Sequence, residues 1–84
     1  MNREYILFHL KEAQEEIEST IAEIEKDSEY GYGNYVVSMS HSYHHVNTAW
    51  NARDVSNENA ERCSNEDFNK WRQFPDSNEL LLNE

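Results

Sequence analysis

The stretch Val36-Val37-Ser38-Met39-Ser40-His41-Ser42-Tyr43-His44-His45-Val46-Asn47-Thr48-Ala49-Trp50-Asn51 decides the fold. It contains no Gly, no Pro and no Asp, Glu, Lys or Arg. Its large side chains recur at Val36, Met39, Tyr43, Val46 and Trp50, and the row continues to Arg53 at the same 3-4 alternation, the period of an α-helix with one apolar seam. The segment is therefore a helix. It begins near Asn34, after Glu29-Tyr30-Gly31-Tyr32-Gly33-Asn34, a turn in which glycine is expected to supply a positive φ angle.

Upstream of that turn lies a second helical pattern. Asn2 is a plausible N-cap, Glu4 falls in the first turn, and neither Gly nor Pro intervenes before the expected end near Asp27. Ile6, Leu10, Ala13, Ile17, Thr20 and Ile24 recur in a 4-3-4-3-4 spacing, and Ile21 widens the stripe. Two helices of similar length joined by so short a connection are antiparallel neighbours. Register about the turn pairs Ile17 with Tyr43 and Leu10 with Trp50, with small Ala13 leaving room for the indole. The fold class is all-α, an antiparallel helical hairpin.

Beyond Asp54 the pattern weakens. Ser56 is placed to cap a short turn of helix that ends at Cys63, and Ser64 with Asp67 resembles a capping box that opens a third segment over 65–74. That segment presents Phe68, Trp71 and Phe74 and stops at Pro75. It is expected to fold back over the open end of the hairpin, where Tyr5, Phe8 and Trp50 gather. Residues 1–75 form one helical domain on this reading, and 76–84, polar apart from Leu80-Leu81-Leu82, a flexible tail.

At 84 residues the chain has room for one core, and a core of this size leaves a monomer marginally stable. The 17 Asp and Glu against 7 Lys and Arg give a net charge of −10, which repels phosphate backbones and anionic lipid. Neither direct nucleic-acid binding nor a membrane role is expected. The acids concentrate at the ends, nine of them in 1–29 and seven in 55–84, and leave 30–54 with a single Asp. The lone Cys63 excludes an intramolecular disulfide, and the run Tyr5-Ile6-Leu7-Phe8 is too short for a signal peptide or a membrane span, so a cytoplasmic location is expected.

Helical geometry places His41, His44 and His45 away from the Val36–Trp50 stripe, in company with Val37, Thr48 and Ala52. A helix without charge on two faces is ordinarily sandwiched, so Val37, Thr48 and Ala52 are expected at an interface with a second copy, the dimer completing a four-helix-type bundle. His41 and His45 stand one turn apart, the spacing that offers two imidazoles to one ion. His44, or His9 on the first helix, supplies a third ligand for a divalent metal such as Zn²⁺ on this reading. No Glu precedes any of these histidines by three positions, which excludes the usual di-iron bundle pattern. Protonation of clustered histidines near pH 6 to 7 would also make such an interface pH-dependent.

Other chemistry finds no support. Ser40 and Ser42 flank His41, but adjacent helix positions face apart and no nucleophile elbow is present. Both glycines are used by the turn, which leaves none for a phosphate-cradling loop. Three readings of function follow: a small acidic interaction or regulatory module without enzymatic activity; a metal-binding bundle built on His9, His41, His44 and His45; and an acidic nucleic-acid mimic that occupies a basic protein.

Overall fold

A computed structural model describes residues 1–75, and these are all-helical. The expected tail, 76–84, lies outside the described residues. Four helices follow one another: α1 (Arg3–Lys26), α2 (Tyr32–Asn51), α3 (Asn57–Arg62) and α4 (Asn65–Trp71). The hairpin of α1 and α2 is the body of the molecule, and α4 packs on α2. No described helix is long and apolar enough to cross a membrane.

The termini are fixed by side chains the sequence advertises. Asn2 caps α1 by accepting from the Tyr5 amide at 3.0 Å. The same side chain donates to the Val55 carbonyl at 2.8 Å and to Asn57 Oδ1 at 2.9 Å, and the Asn2 amide donates to the Arg53 carbonyl at 2.6 Å. One residue therefore starts α1 and ties it to the far end of α2. Ser56 and Ser64 cap α3 and α4 by accepting from the Asn59 and Asp67 amides. Between α3 and α4 the chain passes through Cys63 at φ 21°, the only positive φ at a non-glycine among the described residues.

Two expectations about the turn and the last helix are corrected. Neither glycine takes a positive φ; Gly31 is extended at φ −115° and ψ 179°. Asp27 makes the turn instead, its carboxylate accepting from the Glu29 amide and its carbonyl from the Tyr30 amide, while Asn34 Oδ1 accepts from the Gly31 amide to open α2 at Tyr32. The last helix ends at Trp71, three residues before the expected limit. Its final carbonyls are captured from α2: Asn51 donates to the carbonyls of Trp71 at 2.7 Å and Gln73 at 2.6 Å, and Asn47 to that of Arg72 at 2.9 Å.

The hairpin seam is also corrected. The contact line runs through His9, Ala13, Glu16 and Thr20 on α1 and Ser38, Ser42, His45, Ala49 and Ala52 on α2, itself a 4-3 alternation. Leu10, Ile17, Ile21, Ile24, Val36, Tyr43 and Val46, expected to face the partner helix, stay exposed. Small residues win because they let two helix axes approach closely, and their polar atoms are satisfied locally. Thr20 donates to the Glu16 carbonyl and Ser42 to the Ser38 carbonyl, each four residues back, and the Tyr30 hydroxyl bonds Ser38 across the turn. The buried hydrophobic side chains among the described residues are only Ala13, Ala49, Ala52 and Trp71.

Candidate functional site: a histidine pair in the seam

The polar seam brings His9 and His45 together. Their Nδ1 atoms lie 3.0 Å apart, one donating to the other, so one ring holds its proton on Nδ1 and the other presents a lone pair there. His44 stands beside both, with ring centroids 5.0 Å from His45 and 6.2 Å from His9. Aromatic walls close the cluster: Tyr5 and Phe8 meet His9 edge-on at 4.7 and 5.1 Å, and Phe68 of α4 lies 4.8 Å from His44. The helical period explains the arrangement, since Tyr5 and His9 share one face of α1 and His41, His44 and His45 one flank of α2.

Burial sets the protonation state. His9 is held down to about pKa 4, chiefly because its charged form would lose water and secondarily because His45 and His44 stand close. His44 is lowered in the same direction, by burial first and then by His45, Arg72 and His41. At neutral pH His9 and His44 are therefore uncharged. His41 is apart from them: its side chain is 61% exposed and its nearest acidic partner is Glu16, 3.6 Å from Nδ1.

The sequence-derived site residues thus separate into four groups. His9, His44 and His45 converge, whereas His41 points toward solvent. Among the described residues no three His, Cys, Asp or Glu side chains come together in a way that could hold a metal ion. Thr48 and Ala52, expected on an outward interface face, are buried inside the chain at 1% and 3% exposure, and Thr48 Oγ1 lies 3.5 Å from His44 Nδ1. Val37 alone of that set is exposed. The reason is the rotated seam, which turns the small-residue side of α2 inward.

What the sequence reading passed over is the other side of the hairpin. On α1 the row Arg3, Ile6, Leu10, Gln14, Ile17, Ile21 and Ile24 lies roughly 80° around the helix from the contact line, at 100° per residue. On α2 the row Tyr35, Met39, Val46 and Trp50 is displaced by a similar angle in the sense that, for antiparallel helices, brings both rows to one side. The last helix, α4, covers the opposite side, through Tyr5–Trp71 and His44–Phe68. The α1 row carries none of that helix's seven glutamates, and α2 has no charged residue at all. A signal existed: each helix carries two stripes of 3-4 spacing, one large and one small.

A groove of about 490 Å³ between α1 and α3, lined by Tyr5, Phe8, His9, Ala60, Glu4 and Glu61, gives the histidine cluster an opening to solvent. Its lining carries two carboxylates, the Tyr5 hydroxyl and the rings of Phe8 and His9. No protein-family model, curated protein or solved structure matches the chain.

Proposed function

We propose that the chain is a non-enzymatic interaction module that works as part of an assembled helical bundle, with the acid-free side of its hairpin as the contact surface. The observation that carries this reading is the placement of Leu10, Ile17, Ile21, Ile24 and Val46, all near half exposure on one side of an acidic chain whose own seam is made of small and polar residues. Contiguous apolar surface of this kind marks a protein-contact site, whereas isolated exposed side chains do not. Charge argues the same way, because a solvated helix of this chain is otherwise dense with glutamate.

The test is a capture experiment from the native cell with the parent protein and with Ile21→Lys. Ile21 is 51% exposed, so a lysine there reaches water without disturbing the hairpin. Partners, self or foreign, that are retained by the parent and lost by the variant support the reading. Identical retention by both overturns it.

A second reading is favoured by the His9–His45 pair. Two imidazole nitrogens 3.0 Å apart offer two ligands to a Zn²⁺ ion whose remaining positions solvent would fill, once the Nδ1 proton is displaced. Calorimetry with Zn²⁺ on the parent and on His9→Gln decides it: stoichiometric binding that disappears in the variant supports a metal module. The acidic-mimic reading gains nothing comparable, because the carboxylates are dispersed over α1, α3 and α4.

A further inference from the structure

We infer that the occupant of the acid-free face is a second copy of this chain, docked face to face and antiparallel, which completes a four-helix bundle. This rests on the reading of the chain as an interaction module and names its partner. Area is the first argument. The exposed parts of Leu10, Ile17, Ile21, Ile24, Tyr35 and Val46 amount to roughly 500 Å² per copy, and flanking atoms bring a pair of copies into the ~1,200–2,000 Å² range of specific interfaces. The length also fits: the α1 row runs from Arg3 to Ile24, nearly the whole helix, so a partner of the same hairpin length covers it without overhang.

Need is the second argument. Among the described residues three of the four buried hydrophobic side chains are alanines, so these residues remove little apolar surface from water, and small chains commonly meet that shortage by oligomerising. The rows recur at spacings of three, four and seven residues on both helices, the helical repeat that interlocks across bundle interfaces. An isologous pair uses this one patch twice and closes on itself.

Charge chooses the orientation. Arg3 and Arg53, the latter 3.9 Å from Asp54, stand at one end of the face, and Glu25, Asp27 and Glu29 at the turn end. Antiparallel docking lays the arginines of each copy over the acidic turn of the other, whereas parallel docking sets arginine against arginine and carboxylate against carboxylate. The acid-free rows make the approach possible for a chain of net charge −10, whose copies repel elsewhere.

The experiment is light scattering with size exclusion on the full chain from 1 to 200 µM, read beside sedimentation equilibrium. The parent should run at twice its 10.0 kDa mass, and Ile17→Lys or Ile21→Lys should return it to one mass while helix content by circular dichroism is kept. Val37→Lys, on an exposed position away from this face, should leave the dimer intact. Arg3→Glu and Glu25→Lys should each weaken association several-fold at low salt, and their combination should restore it, since the swap re-forms the antiparallel pair. A parent that stays at 10.0 kDa throughout overturns the second-copy assignment, and so does a dimer lost with Val37→Lys but kept with Ile21→Lys. The interaction-module reading fails separately, when no protein captured from the native cell depends on Ile21.

Discussion

Trp71→Ala is the sharpest perturbation of the fold itself, because it decides whether the C-terminal helix belongs to the structure or only hangs from it. Trp71 is 8% exposed, meets Tyr5 of α1 at 6.2 Å between rings, and its carbonyl accepts from Asn51 of α2. The Trp71 ring thus meets α1, and its backbone carbonyl holds the end of α4 to α2. A tryptophan buries about 150–250 Å², and at roughly 25 cal/mol/Å² the loss of nearly all of it corresponds to about 4–6 kcal/mol as an upper figure. Measured Trp-to-Ala truncations in cores cost about 3–5 kcal/mol, which agrees. A small domain holds about 5–15 kcal/mol in total, so the variant should lose a third or more of its stability. The assay is urea unfolding followed by far-UV circular dichroism at constant protein concentration, with Asn51→Ala and the double variant completing a cycle. Coupling of about 0.5–3 kcal/mol between the two is expected, since both act through the end of α4. An unfolding midpoint that Trp71→Ala leaves in place would refute the argument and make 65–75 a detachable segment.

Two further predictions follow from the seam. Thr48→Glu should fail to fold or lose about 3–5 kcal/mol, because the position is 1% exposed and a carboxylate there is buried beside His44 without a cation; normal melting of this variant would place Thr48 at the surface. Stability should fall as pH is lowered from about 6.5 to about 4: His9 is neutral in the fold with its pKa lowered to about 4, the unfolded chain binds the proton near 6.5, so the contribution is complete above 6.5 and is lost through that window. His9→Gln should flatten the pH profile of the urea midpoint in that range, and an unchanged slope would remove His9 as its source.

The elements themselves were legible because they depend on local chemistry. Asn2, Ser56 and Ser64 read as caps and act as caps, and the long runs without Gly or Pro read as helices and are helices. The seam was not legible from hydrophobicity, because the criterion of the largest apolar stripe assumes that a helix buries its greasiest side within the same chain. In this hairpin, Thr20 and Ser42 return their hydroxyl protons to carbonyls four residues back, which removes most of the penalty for burying them. Glycine misled in a related way. Gly31 caps α2 and Gly33 lies in its first turn, while Asp27 and Asn34 close the connection through side-chain hydrogen bonds, so the positive φ that glycine permits is never used.

The histidines that helix spacing pairs are not the ones the hairpin brings together. Sequence spacing put His41 with His45, one turn apart, and that pairing is real along the helix; across the hairpin, however, His45 meets His9 and His41 is left outside. Which histidines converge depends on the rotation of α2 about its own axis, a quantity that two competing 3-4 stripes leave open. The structure shows what fixes it. An Nδ1–Nδ1 hydrogen bond tolerates little sliding, and the Asn2–Arg53 bond at one end and the Tyr30–Ser38 bond at the other hold the same register. Each of these contacts is polar and directional, and each would leave a partly buried donor or acceptor unpaired if α2 rotated toward its larger stripe. Apolar packing across that stripe is nearly indifferent to such rotation. The polar seam therefore specifies how the two helices meet, and by doing so it leaves the isoleucine row of α1 and the Met39–Val46 row of α2 together on the one side of the hairpin that no described element covers.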